Sequence, residues 1–171
     1  MKKILTILLA TLMVVSLFAF VGCGNDAEAT LKLGLGVSSS GSATDAADTA
    51  GNDQLTVTAA AVLVDDAGKI VKAFIDCADS KVGHTADGQA VVTESFKTKY
   101  ELGAGYNMVA YGGATKEWFE QAAAFDAACL GKTASEVAGL MGADYKGNAD
   151  VQAAGCTIYV SGFVKAASKI G

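Results

Sequence analysis

The stretch that decides the fold is residues 62–71, which read VLVDDAGKIV. A β-branched, apolar run at 54–64 leads into the DDAG cluster of residues 65–68, and a second such run follows at 69–77. Two runs of this kind joined by an Asp- and Gly-containing turn are typical of a β-hairpin, because Gly tolerates the positive φ that tight turns need. The sequence therefore predicts two paired antiparallel strands.

Further strands are predicted on both sides of this hairpin. Residues 31–37 (LKLGLGV) alternate in character and predict a first strand. Residues 38–52 are rich in Ser, Ala, Thr, Asp and Gly, which predicts a loop. A second turn is predicted at residues 85–88 (TADG), closed by a short strand at 89–93.

The second half of the chain changes to helical spacing. Residues 115–130 place Trp118, Ala122, Phe125 and Cys129 four, three and four positions apart, which predicts a helix with a buried face. Gly131 follows as a stop signal. On this basis we expect Trp118 and Phe125 to pack under the sheet.

Two shorter helices are predicted after it. Thr133 or Ser135 is a suitable N-cap for a helix through Leu140. Residues 161–170 predict a final helix, with Ser161 as its cap and one apolar side formed by Phe163, Val164, Ala167 and Ile170. Strands first and helices later indicate an α+β fold, an antiparallel sheet of hairpins with C-terminal helices packed on it, as a single domain over residues 31–171.

The N-terminus indicates export. Lys2 and Lys3 precede an uncharged apolar run at 4–22. The run ends at Gly22 and is followed by Cys23 and a polar stretch. This is typical of a lipoprotein signal peptide (1–22), with Cys23 lipidated and residues 23–30 as a tether. An uncleaved transmembrane anchor is the alternative, because the run is close to the ~20 residues that a span requires. Either interpretation places the body of the chain on the extracellular face of the cell membrane.

Charge excludes one class of partner. Without Lys2 and Lys3, 11 lysines face 18 acidic residues, a net charge of −7, and the chain has no Arg. Such a surface repels phosphate backbones and lacks the side chain best suited to reading them. Nucleic-acid binding is therefore not expected.

The residues for metal or hydrolytic chemistry are sparse. Cys77, Cys129 and Cys156 permit at most one disulfide, and we favour buried thiols over a disulfide. His84 stands alone, so no metal site is expected. The Gly-Leu-Gly of residues 34–36 lacks the third glycine and the βαβ context of a dinucleotide site, and no nucleophile motif supports a hydrolase.

One segment has an unusual composition. Residues 150–158 read DVQAAGCTI, in which small residues lead up to the hydroxyl of Thr157. Small residues let a bulky group approach the backbone closely. The alternative is a tight loop that feeds the last helix, with Thr157 as an ordinary β-branched residue.

Several stretches together resemble a known family. They are KLGLG at 32–36, VLVDDAGKIV at 62–71, FKTKYELG at 96–103, KEWFEQ at 116–121 and GKTASEV at 131–137. In this order they resemble the FMN-binding lipoproteins of Gram-positive extracellular electron transfer, the pheromone-lipoprotein type. The resemblance covers nearly all of the mature chain.

The resemblance implies a cofactor and partners. Members carry FMN as a covalent phosphoester on a Thr, attached by a flavin transferase. They are electron carriers and not enzymes; they accept electrons from a membrane NADH- or quinone-linked flavoprotein and pass them to extracellular acceptors.

The family acceptor pattern is loosely Asp-Gly/Ala-x-Ser-Gly-Ala-Thr. Here Ala154, Gly155, Cys156 and Thr157 fall on Ser-Gly-Ala-Thr, with Ala in place of Ser and Asp150 one residue too far upstream. The resemblance therefore makes Thr157 the expected flavin acceptor, while the similar tetrad that ends at Thr115 is interpreted as a coincidence. The alternative function is a non-redox surface lipoprotein with this fold, acting as an interaction or solute-binding module.

Overall fold

The structure is a computed structural model that describes residues 30–44, 50–91 and 96–170. Its centre is an antiparallel sheet of four strands in the order β1-β2-β3-β4, which are β1 (Lys32–Ser42), β2 (Gly51–Val64), β3 (Ile70–His84) and β4 (Ala90–Val91). The predicted signal peptide (1–22), Cys23 and all of the tether except Thr30 lie outside the described residues.

The central hairpin is confirmed. In the turn between β2 and β3, the Gly68 N–H donates to the Asp65 carbonyl oxygen over 2.9 Å, and Gly68 has φ +72°. The Asp65 side chain accepts from the N–H of Ala67 and of Lys69, at 3.0 and 2.8 Å. Asp65 therefore holds the turn with its side chain while Gly68 supplies the left-handed conformation.

The predicted loop over residues 38–52 is wrong at both ends. β1 continues to Ser42 and β2 already begins at Gly51, with Ser38 opposite Thr58 and Ser42 opposite Gln54. Backbone pairing with a neighbouring strand needs no apolar side chain, so a Ser-rich stretch extends the sheet once the first pairs are in register.

The second turn is also confirmed. The Gly88 N–H donates to the Thr85 carbonyl oxygen over 2.9 Å, and β4 pairs with the end of β3 through Ala90 opposite His84. Residues 92 and 93 of the predicted closing strand lie outside the described residues.

Helices cover one face of the sheet. In the described part of the chain they are α1 (Lys99–Leu102), α2 (Trp118–Cys129), α3 (Ala134–Val137), α4 (Ala149–Ala153) and α5 (Ser161–Ala167), with 3₁₀ turns at Gly103–Tyr106 and Ala138–Leu140. α2 packs on β3, and α5 packs on β1 and β2. This arrangement confirms the single α+β domain.

The helix termini correct several details. Of the two predicted N-caps, Thr133 caps α3, in a capping box with Glu136, and Ser135 lies within the helix. The prediction for Ser161 is wrong: Val160 holds the N-cap position without a side-chain bond, and Ser161 is the first helical residue. α1 and α4 were not predicted, because four or five residues are too short to show a helical period.

The core lies between the helices and the inner face of the sheet. Trp118 and Phe125 are 3% and 0% exposed, and both rings meet Phe163 of α5 at centroid distances of 5.6 and 5.4 Å. The predicted burial of Trp118 and Phe125 is confirmed. The other fully buried large side chains include Ile70 and Ile75.

The inner face of β1 is made of small residues. A β-carbon added to Gly36 would collide with the Ala166 carbonyl oxygen, and one added to Gly34 would collide with Ile170. These glycines let α5 and the residues after it approach the sheet closely, which is the packing role of the Gly-Leu-Gly motif.

Candidate functional site

Thr157 lies exposed after α4, and its position is set by a buried glutamine on α2. The Gln121 side chain is 1% exposed, and its Oε1 accepts from the Thr157 N–H at 2.9 Å and from the Thr157 hydroxyl at 3.1 Å. Gln121 Nε2 donates to the Lys116 carbonyl oxygen at 3.0 Å. Both the nitrogen and the oxygen of the Gln121 side-chain amide have hydrogen-bond partners, so Thr157 is held in one orientation.

Gly155 brings a lysine to this site. Its φ is +105°, and a β-carbon here would collide with the Lys116 amine and lie 3.0 Å from Lys116 Cε. The sequence suggested that Gly155 leaves open space for a bulky group. That space is instead filled by Lys116, so a cation lies against the backbone two residues before Thr157.

The other predicted site residues have different surroundings. Ala154 is exposed, whereas Cys156 is wholly buried and points into the core. Burial raises the pKa of the Cys156 thiol to about 11, so it stays protonated at neutral pH. Cys156 can therefore meet a ligand only through its backbone.

Cys77, Cys129 and Cys156 are free and buried, which confirms their interpretation as small apolar side chains. Burial also raises the pKa of Cys129 to about 12 and raises the pKa of Cys77. Thiols in such surroundings are weak nucleophiles.

A polar groove opens beside the Thr157 segment. It has a volume of about 200 Å³ and is lined by residues of six segments, namely Ser38, Ser39, Ser40, Thr56, Thr58, Cys77, Lys99, Trp118, Tyr159, Ser161, Gly162, Phe163 and Lys165. Trp118 of the groove lies one turn before Gln121 on α2, and Tyr159 of the groove is two residues after Thr157. The same two segments therefore position both the groove and Thr157. We call this the hydroxyl groove.

Lys99, which lines the hydroxyl groove, belongs to a largely buried ion pair. Lys99 Nζ lies 2.9 Å from Asp79 Oδ2, with the two side chains 13% and 20% exposed. The amine also lies 4.9 Å from the ring centroid of Tyr106 and 5.4 Å from that of Trp118, within cation–π range. Burial alone would raise the pKa of Asp79, but hydrogen bonds from Lys99 and Thr56 outweigh it and lower that pKa.

Asp126 is a second buried acid, on the core side of α2. Its Oδ2 accepts from the Ile75 N–H at 3.4 Å, and its Oδ1 has no partner among the described residues. Burial raises the pKa of Asp126 to about 7. Asp126 does not line the hydroxyl groove, so we treat it as a determinant of stability.

Sequence reasoning missed Gln121, Lys116 and the groove. Gln121 carried a usable signal, because a polar residue beside Trp118, Ala122 and Phe125 on a buried helix face must find a hydrogen-bond partner. The contact between Lys116 and Gly155 joins positions 39 residues apart, and no local pattern predicts it.

Comparison with family models, with characterised proteins and with solved structures gave no significant match. Within residues 30–44, 50–91 and 96–170, no helix has the length and apolar character that a membrane crossing requires. The same residues contain no group of three or more His, Cys, Asp or Glu side chains placed to hold a metal ion.

The residues present fit the phosphate end of an FMN. Thr157 offers an exposed hydroxyl, and Lys116 and Lys165 supply positive charge in an otherwise acidic protein. The hydroxyl groove is smaller than the ~300–1,000 Å³ of ordinary ligand pockets. It would therefore enclose only part of a flavin and leave the rest in solvent.

Proposed function

We propose that this protein is a lipid-anchored electron carrier that holds FMN through a phosphoester on Thr157. The anchor is the lipid on Cys23, and the working place is the extracellular face of the membrane. The observation that carries the proposal is the environment of Thr157: an exposed residue whose hydroxyl is oriented by buried Gln121, with Lys116 held against Gly155.

Gln121 determines how the hydroxyl can react. Because the hydroxyl hydrogen points to Gln121 Oε1, the oxygen lone pairs are left to face a phosphorus atom. Thr157 would supply the oxygen of the phosphoester, and a flavin phosphoanhydride would supply the phosphorus, with its second phosphate as the leaving group. An amide is no base at neutral pH, so the flavin transferase must take the proton that Thr157 releases.

Lys116 stabilises the product of this reaction. A phosphodiester carries one negative charge, and the Lys116 amine lies against the backbone beside Thr157. Lysine binds phosphate as a point charge, without the bidentate geometry of arginine, which the chain lacks. Lys116 is thus a positioning residue for the attached group.

The hydroxyl groove supports the remainder of the cofactor. The bound flavin would supply the redox chemistry, and the protein supplies attachment, orientation and electrostatic environment. Lys165 and Ser40 line the groove, where they can donate hydrogen bonds to carbonyl and ribityl oxygens. Partial enclosure suits a carrier, because its partners must approach the redox group closely.

The partners follow from the same proposal. A membrane NADH- or quinone-linked flavoprotein donates electrons, and extracellular acceptors receive them. The flavin transferase is required once for each chain, to load the cofactor.

Intact mass after co-expression with a flavin transferase tests the proposal. We expect the wild-type chain to gain the mass of one FMN less one water, with yellow colour that survives denaturation. Thr157→Ala should abolish both and leave the fold intact, because Thr157 is exposed and the change removes the hydrogen bond from its hydroxyl to Gln121. Thr115→Ala is the matched control and should be loaded like the wild type.

The outcomes separate the two functions. An FMN adduct that persists in Thr157→Ala would move the attachment site elsewhere. A colourless wild-type chain without added mass would overturn the carrier and favour the non-redox lipoprotein, with the hydroxyl groove as the site for a small solute.

A further inference from the structure

The outer face of β1, opposite the helices, exposes large apolar side chains. Leu33 is 74% exposed and Leu35 is 70% exposed, and Leu31 and Val37 on the same side are 50% and 44% exposed. An antiparallel sheet with one solvated face normally alternates apolar side chains inward with polar ones outward. In this strand the order is reversed, because glycines face the core.

The apolar surface continues across the neighbouring strands. Leu33 and Leu35 lie opposite Leu63 and Ala61 of β2, and Ala61 lies opposite Phe74 of β3, which is 46% exposed. We call this surface the outer apolar face; it consists of Leu33, Leu35, Val37, Ala59, Ala61, Leu63 and Phe74. Contiguous apolar patches on a protein surface mark interaction sites.

On β1, the outward-facing apolar side chains lie at the start of the strand. Along the same side of β1, Val37 is followed by Ser39 and Gly41. On β2 the apolar side chains continue further, because Val57 and the half-exposed Leu55 lie opposite Ser39 and Gly41. The start of β1 is the end that leads back to Cys23, so the apolar side chains of this strand lie where the chain joins the tether.

The length of the tether limits where this face can lie. Eight residue steps separate Cys23 from Leu31, and a chain of eight residues extends at most ~28 Å. A lipid on Cys23 therefore keeps the first residues of β1 close to the bilayer surface. Lys72 is exposed and lies opposite Leu63 at the border of the outer apolar face, where lipid phosphates would attract it.

We propose that the outer apolar face docks on the membrane, with Leu31, Leu33 and Leu35 at the lipid boundary. The inference rests on the anchor at Cys23, which is part of the proposed function, and does not depend on the flavin. The hydroxyl groove, α2 and α5 lie on the other side of the sheet, so docking leaves the site of Thr157 turned away from the lipid.

Photo-cross-linking to lipid tests this orientation. The lipidated mature chain, with its N-terminus at Cys23 verified by mass, is placed in vesicles that contain a photoactivatable phospholipid and anionic lipid. We expect cross-linked peptides from residues 31–37 and 72–76, and few from α2 or α5.

Two charge variants provide the comparison. Leu33→Glu combined with Leu35→Glu should lower cross-linking of β1 by about fivefold or more, because carboxylates are excluded from lipid. Ser39→Glu is the matched control, since it adds charge on the same side of the same strand beyond the apolar part, and cross-linking should stay at the wild-type level. Both variants change exposed side chains, so wild-type melting temperatures should verify their folding.

Three results would overturn the proposal. An anchored chain without cross-links at 31–37 would contradict docking. Cross-links between two copies of β1, dependent on protein density, would assign the face to a second copy of this chain. Release of the wild-type chain from vesicles would overturn the anchor together with the docking, whereas the mass of attached FMN tests the flavin separately.

Discussion

The two faces of β1 differ in burial, and the smaller side chains are on the buried face. On the inner face, Gly34 and Gly36 lie under α5, and the covering helix reaches the strand backbone. On the outer face, Leu33 and Leu35 have no covering element among the described residues and stay mostly exposed. Burial of a residue is therefore decided by what packs over it, and small residues permit the closest packing.

The contrast extends to the whole sheet. The inner face meets aromatic and aliphatic side chains from α2 and α5 and excludes water, so each atom removed or added there changes the packing. The outer face is contacted mainly by solvent in the isolated chain. The same substitution should therefore have unequal effects on the two sides.

The largest expected difference is between two aromatic residues on opposite sides of the sheet. Trp118→Ala should lower the free energy of unfolding by ~3–5 kcal/mol, because it leaves a cavity against Phe163. Phe74→Ala on the outer face should lower it by about 1 kcal/mol, since Phe74 is 46% exposed and a substitution there leaves no enclosed cavity. Urea unfolding of both variants measures the difference; equal losses would mean that the outer face is covered in the folded monomer.

The second difference concerns ionisation of Asp126 on the covered side. Its pKa is about 7 when folded and near the ordinary 3.8 when unfolded, so the folded state keeps the proton to higher pH. The stability that this provides is complete below about pH 4 and is lost as the pH rises through 7. The free energy of unfolding of Asp126→Asn, relative to that of the wild type, should therefore rise by about 2–4 kcal/mol between pH 4 and pH 8, because one pKa unit corresponds to ~1.4 kcal/mol.

At each pH, the difference in free energy of unfolding between the wild type and Asp126→Asn separates the contribution of Asp126 from those of the other carboxyl groups. Asp66→Asn, at an exposed turn position, is the control for the loss of one negative charge. If the Asp126→Asn difference does not change with pH, the carboxyl group has access to water in the folded state.

The smallest expected difference is between two glycines of the same strand. Gly36→Ala should lower the free energy of unfolding by about 1–3 kcal/mol, because its methyl group would meet the Ala166 carbonyl oxygen and α5 would have to shift. Gly41→Ala should have little effect, since its β-carbon would lie 3.4 Å from the nearest atom, the Gln54 carbonyl oxygen. Thermal melting of the pair checks this; a neutral Gly36→Ala would show that α5 is not closely packed.

Local patterns predicted the elements with strong periodicity or turn chemistry. The hairpin around residues 65–68, the turn at 85–88 and the buried face of α2 all depend on residues near one another in the chain. The ends of β1 and β2 could not be predicted, because Ser42 is held in the sheet by pairing with Gln54 and by no preference of its own.

The sequence by itself determined the class of fold, the hairpin order, the acidic surface and the hydroxyl of Thr157. Only the tertiary structure decided that Gln121 holds that hydroxyl, that Lys116 fills the space beside Gly155, and that leucines of β1 face outward. The difference arises from the separation along the chain of the residues that interact. Turns and helix periods are set by neighbours within a few residues, whereas a hydrogen bond across 36 positions exists only after α2 and the Thr157 segment have packed together.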